Sequence, residues 1–384
     1  MSAETIFPHQ TYGDQPPKAP HYLLAPAPGP AVGSPEFQRR MRKVGDALRA
    51  AGVSDIYLVH GTFVGPDAMG LLSELSRVMP GGSRVMQRLL KRVIDRITGE
   101  AGNYTPGYAR LFEQAINPPD GPQIAVRLFH WSSENHHLGR ADGAVRLIDE
   151  LAALESPPGG RALLWGHSHA GNVFALVSNL LSGNRTAIDR FFEATDIYYR
   201  WPLVGCVDIP VWSRVRDLLN QDPRPLGGLP LDFVTFGTPL RYGWDAAGYS
   251  RLLHFIHHRP AEGLPDYRAP FPPKLNRVLA AADGDYVQQL GIAGTDTTPS
   301  ILAWRAWMAE NRLSRLLQHE RAGGNPLERF LPGAIVPDAG TTLLVDYGLP
   351  DGRITRHLAG HAVYTRKRWM LFHAEETVRR LYGD

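Results

Sequence analysis

The chain has 384 residues, 43% of them hydrophobic and 21% charged. That length and composition suit one large globular domain or two smaller ones, and exclude global disorder, collagen and coiled coil. A net charge of +3, from 41 basic and 38 acidic residues, is too balanced for the clustered positive face of a nucleic-acid binder. A single cysteine, Cys206, rules out an internal disulfide and any Cys-based zinc site. No apolar run approaches the roughly 18–20 residues of a membrane-crossing helix, and no basic-then-apolar leader is visible. The expectation is a cytoplasmic protein.

Residues 1–35 carry eight prolines and read as an extended or disordered arm, free or laid on the domain. From residue 36 onward, six apolar runs read as buried strands: 56–62, 124–131, 162–168, 233–239, 252–258 and 341–348. They are apolar on both faces, as strands covered by helices on both sides must be. Helical patterns lie between them. Ala141, Ala144, Val145, Ile148 and Leu151 share one face of 139–154, and 365–382 closes the chain as a helix. The alternation predicts an α/β fold with a doubly wound, mostly parallel sheet.

Three connections exceed a plain crossover: about 64–122, 184–230 and 262–340. Long ordered insertions often form caps, lids or binding loops. The first contains a basic amphipathic stretch (Val85, Met86, Leu89, Leu90, Val93, Ile94 and Ile97 against Arg84, Arg88, Lys91, Arg92 and Arg96). It reads as a helix packed on the domain, or as a surface making peripheral contact with anionic lipid. Cys206, within WPLVGCVDIP, reads as buried packing of the second insertion.

The sharpest signal is RALLWGHSHAGNVFALV, 161–177. An apolar strand runs into Gly166-His167-Ser168-His169-Ala170-Gly171, and an apolar helix follows. A serine at such a turn sits in a strained backbone with its hydroxyl above the sheet, and small residues on either side relieve the crowding. The helix N-terminus favours negative charge developing beside it. WSSENHHLGR (131–140) follows another strand, so it belongs at the same end of the sheet. It reads either as substrate-contacting residues or as a cap for the next helix.

With these motifs the chain resembles the α/β-hydrolase superfamily, its lipase and esterase branch in particular, over about residues 50–384. Ala170 stands where the family most often has Gly. IYLVHGTF (56–63) is similar to the family's strand and His-Gly oxyanion loop, and FVTFGTPL (233–240) to the strand after the nucleophile helix. The resemblance implies Ser168 as nucleophile. It implies the backbone N–H groups of Thr62 and His169 as oxyanion donors, with His60 shaping the loop. His361, in a Gly-His-Ala turn before the closing helix, takes the base position ahead of His357. The acid is expected after the strand LLHFIHH. Asp285, in an Asp-x-Val step, leads; Asp283 and Asp346 are the alternatives, with Glu262, Asp266 and Asp296 nearby. Phe63, His167, Glu134 and Asn135 are expected to contact substrate. The histidines flanking Ser168 point apart at such a turn, so no metal and no cofactor is implied.

The resemblance thus implies a serine hydrolase acting on a small-molecule or lipid ester. Thioesters would use the same residues, and a non-catalytic hydrolase-like binding protein would keep the fold alone.

Overall fold

In the computed structural model, residues 6–10, 12, 15–61, 102–222, 224–270, 273–293, 296, 298–299, 303–317, 334–350 and 357–383 are described. The basic amphipathic stretch 84–97, Thr62 and Phe63 lie outside them.

Seven strands form one sheet: β1 His21–Leu24, β2 Val53–Val59, β3 Ala125–Phe129, β4 Arg161–His167, β5 Leu231–Phe236, β6 Arg251–His257 and β7 Thr341–Val345. Every pairing is parallel, in the order β1-β7-β6-β5-β4-β2-β3. From β2 the chain steps to β3 at one edge, returns to β4 on the other side of β2, and then advances strand by strand to β7. The order reverses between β2 and β4, and open α/β sheets bind ligands outside the carboxyl ends of the strands at such a reversal.

Alternate strand residues feed two cores. Ile56, Leu58, Leu163, Trp165, Val234, Phe236, Phe255 and Leu343 face one layer. It is built by α1 (Pro35–Ala50), α2 (Pro106–Ile116) and the last helix, α10 (Met370–Leu381). Tyr57, Val59, Leu164 and Phe233 face the other. Its helices are α3 (His137–Ala152), α4 (Ala170–Leu181), α5 (Arg185–Tyr199), α6 (Pro210–Gln221) and α9 (Trp304–Leu317). The short α7 (Leu275–Leu279) and α8 (Tyr286–Ala293) follow β6. The fold is therefore α/β, with one all-parallel sheet flanked by helices.

Local sequence explains where elements begin. Ser34 caps α1 by accepting from Phe37 N–H, with Pro35 at the first helical position, where its missing N–H costs nothing. Thr105 and Pro106 repeat the device for α2.

One expectation changes. The proline-rich arm is not simply a tail, because its residues 21–24 complete the sheet as the edge strand beside β7. Prolines flank that strand at 20 and 26, and an edge strand tolerates them because one side of its ladder is unpaired. The 184–230 insertion forms two helices buried on α3 and α9. Phe191 and Tyr199 stack on Trp212 at 5.8 and 5.5 Å, and the Trp212 indole donates to Asp142 at 2.8 Å. Among the described residues, no helix is long and apolar enough to cross a membrane.

Trp165 is 1% exposed and packs on Phe236 and Phe112 at centroid distances of 4.7 and 5.5 Å. Trp165→Ala is expected to cost about 3–5 kcal/mol, read as a lowered urea midpoint at unchanged m-value.

Candidate active site

β4 ends at His167, and the next residue turns sharply. Ser168 has φ 56°, in the left-handed region that a non-glycine residue enters only under constraint. The constraint is visible. Ser168 N–H donates to Phe236 O at 2.8 Å, Thr238 Oγ1 donates to Ser168 O at 2.7 Å, and Gly171 N–H donates to the same carbonyl at 3.1 Å. α4 starts two residues later with no side-chain cap at His169. The turn itself takes up N–H groups of the first helical turn, Gly171 N–H going to Ser168 O and Asn172 N–H to His169 O at 3.0 Å, with no capping oxygen from a side chain.

From the other side of the reversal, β2 delivers His60 and Gly61. A Cβ on Gly61 would lie 2.5 Å from Ser168 Cβ, so only glycine allows the two turns to touch. Ser133, from the loop after β3, hydrogen-bonds both His60 Nδ1 and Gly61 O at 2.9 Å. The Trp131 indole donates to His60 O at 2.8 Å. The 131–140 segment therefore braces the turn opposite Ser168. It also caps α3, since His136 Nδ1 accepts from Gly139 N–H at 2.9 Å.

His361 comes from the other end of the sequence. The turn before it runs through three positive φ values, at Leu358, Ala359 and Gly360. A Cβ at Gly360 would stand 2.2 Å from Gly284 O, so this turn is pressed against the segment carrying Asp285. His361 Nδ1 donates to Asp285 Oδ2 at 2.7 Å. Tyr364 OH donates to the same oxygen at 3.0 Å, and Gln288 N–H to Oδ1 at 2.9 Å. Burial, with Asp285 alongside, holds the Tyr364 phenol well above its ordinary pKa, so it stays a donor. His257 N–H in turn donates to Tyr364 OH at 2.7 Å. With Nδ1 engaged, Nε2 is the nitrogen of His361 left for proton transfer.

His167 connects this pair to Ser168. Its ring lies 4.5 Å from that of His361, and its Nε2 donates to His361 O at 3.2 Å. Burial, reinforced by His361, pushes its pKa well down, so His167 is a neutral donor. His169 turns the other way, its Nδ1 3.1 Å from Asn172 Nδ2. Burial and Arg140 keep it neutral as well.

The other candidates are placed elsewhere. Asp283 holds Arg277 and Tyr286 OH. Asp346 pairs with Arg259 at 3.1 Å and accepts from Gly348 N–H at 2.8 Å. Asp266 faces His21 at 3.4 Å, and Glu262 is exposed. His357 is buried. Glu134 faces His136 at 3.5 Å, and Asn135 accepts from Arg140 at 3.1 Å. Cys206 is exposed, contrary to the expectation of buried packing, because the segment around it projects from the domain.

Asp296 has a different task. It sits between Arg140 and Arg241, bonded to both, with His137 Nε2 at 3.3 Å. Arg140, fully buried, also donates to Tyr242 OH at 2.8 Å. Glu310, on α9, accepts from the His137 and Leu138 N–H groups at 3.1 and 2.7 Å, capping α3 from another helix. Sequence reasoning missed this network and Tyr364, because their partners lie 55 to 173 residues apart. A hint was present for Tyr364, one helical turn after His361. Among the described residues, no group of three His, Cys, Asp or Glu side chains is arranged to hold a metal ion.

Comparison with protein-family models, with curated proteins and with solved structures yields no match in any of the three.

Burial raises the Asp296 pKa, but Arg140 and Arg241 outweigh it and hold the carboxyl well below its ordinary value. A lowered native pKa stabilises the fold above the unfolded value of about 3.9, and the contribution fades as pH falls below that. Asp296→Asn should cost about 3–5 kcal/mol at neutral pH, by leaving two buried guanidinium groups without their carboxylate. It should also flatten the acid limb of stability against pH, measured by chemical denaturation from about pH 7 to 3.

Proposed function

We propose that the protein is a serine hydrolase of the α/β-hydrolase kind, cleaving carboxylic esters, with lipid esters as the favoured class. The observation that carries the reading is the Asp285–His361 hydrogen bond, 2.7 Å long and buried, with the His361 ring 4.5 Å from that of His167, the residue before a serine held at φ 56° between strand and helix. A strained serine, a histidine tied to a carboxylate through Nδ1, and a helix N-terminus without a side-chain cap are the parts that acyl transfer needs.

In the proposed reaction, Ser168 Oγ attacks the ester carbonyl while His361 Nε2 takes its proton. The tetrahedral oxyanion is held by the N–H of His169 at the head of α4, with Thr62 as the second donor. His361 then gives its proton to the departing alcohol, leaving an acyl group on Ser168. Water, activated by the same nitrogen, releases the acid and restores the serine. Asp285 fixes the tautomer of His361 and stabilises its charged form without taking the proton. Tyr364 and Gln288 N–H hold the carboxylate in place, so its second oxygen does not swing away from the ring. Phe63, His167, Glu134 and Asn135 are the proposed substrate contacts. The choice of lipid esters rests on the likeness of the strand motifs to lipases and on the long insertions, one of which would serve as a cap.

A fluorophosphonate probe read by intact mass tests the reading. Wild type should gain one adduct at Ser168, and Ser168→Ala none. Labelling that persists in Ser168→Ala, or a folded wild type that takes no probe, overturns it. Ser168→Ala and His361→Ala should each lower kcat by about 10⁴- to 10⁶-fold, with no further loss when combined. Asp285→Asn should cost about 10⁴-fold, whereas Asp346→Asn should keep wild-type kcat.

A further inference from the structure

The segment joining α5 to α6 is a small hairpin that stands clear of the domain. Arg200 and Val207 form an antiparallel bridge at its base. Trp201 N–H donates to Cys206 O at 2.7 Å, and Gly205 N–H to Trp201 O at 2.7 Å. The tip is therefore built, with its own hydrogen bonds.

Its content is unusual for a surface. Trp201-Pro202-Leu203-Val204-Gly205-Cys206-Val207 carries no charge. Leu203 is 89% exposed, Val204 71%, Trp201 38% and Val207 37%. Contiguous exposed apolar side chains mark a site of interaction.

The base is held as firmly as the tip is bare. Arg305, 3% exposed at the start of α9, donates to Tyr198 O and Asp208 Oδ1 at 2.9 and 2.8 Å. Its guanidinium also lies 4.8 Å from the centre of the Trp201 ring. Five residues along the same helix, a rise of about 7.5 Å, Glu310 caps α3 through His137 and Leu138. That cap adjoins the loop that braces the turn opposite Ser168. Helix α9 thus ties the apolar tip to the end of the sheet where the candidate site lies.

We infer that the Trp201–Val207 tip docks the protein onto a lipid bilayer. Apolar residues at the apex, a tryptophan at the shoulder and an arginine at the base follow the order of environments from acyl chain to headgroup. Arg200 supplies that arginine, its side chain 38% exposed and 3.5 Å from Asp196 in a solvent-exposed ion pair. Its exposed apolar surface comes from only four side chains, Trp201, Leu203, Val204 and Val207, a small patch beside the ~800 Å² per partner of a stable protein interface. A bilayer needs no complementary groove. The proposal deepens the lipid-ester reading, on which it rests for its purpose, because docking here would turn the Ser168 end of the sheet toward the membrane.

The chain's single cysteine lies in the tip and serves as the reporter. Cys206 is labelled with an environment-sensitive dye and titrated with phosphatidylcholine vesicles, with flotation of the unlabelled protein in parallel. Blue-shifted emission and co-flotation are expected. A Leu203→Asp/Val204→Asp variant, with its fold checked by thermal melting, should lose at least about tenfold in vesicle binding. It should hydrolyse a soluble short-chain ester as wild type does. Equal flotation of variant and wild type, or no dye shift, overturns the proposal. So does a dye shift that needs no vesicles and grows with protein concentration, which would assign the tip to a second copy of this chain. Vesicle binding by a wild type that is inert toward esters would support docking and overturn the hydrolase reading alone.

Discussion

Gly360 lies so close to the carbonyl of Gly284 that a Cβ would be 2.2 Å from that oxygen. This one approach of two backbones governs the geometry at the carboxyl ends of β5 and β6. It brings the turn carrying His361 onto the segment carrying Asp285, although 76 residues separate them. The positive φ values at Leu358 and Ala359 store strain, and strain of this kind persists only where surrounding contacts over-determine it. Those contacts are the Asp285 hydrogen bonds, the His167 ring and the buried Tyr364.

The same crowding recurs at the β2–β4 reversal, where Gly61 meets Ser168. Ser168 is fixed from three sides by backbone and by Thr238, and its neighbouring histidines diverge. His167 lies against His361, whereas His169 faces Asn172 and the Arg140–Asp296–Arg241 network. Each side is held by hydrogen bonds among buried polar groups, which the low local dielectric strengthens. The network also sets the level of the whole face. Asp296 joins α3 to the segment after β5, and Glu310 joins α3 to α9.

Beyond that ring the molecule changes character. The α5–α6 layer buries Phe191, Phe192, Tyr199 and Trp212 against one another, then ends in a tip that buries almost nothing. Arg305 marks the boundary. It is buried, paired with Asp208 and set over the Trp201 ring, so the tip projects from a rigid base.

Five of the six apolar runs were legible as strands because the burial of parallel strands on both faces leaves a continuous local signature, whereas β3, at the sheet edge, is only partly buried. The turn at Ser168 was legible for a related reason, since strand, small residues, serine and helix are neighbours in sequence. Asp285 could be placed only among several carboxylates near the end of one strand. What separates it from Asp283, two residues away, is the direction of a side chain: Asp283 turns to Arg277, and Asp285 to His361. That direction depends on which distant backbone arrives alongside, and no local pattern carries it. Strand β1 escaped notice because four residues among prolines have no periodicity, and they become a strand only when β7 offers an unpaired edge. Cys206 was misjudged for the converse reason. An apolar run reads the same whether the fold covers it or leaves it out, and burial belongs to the packed chain.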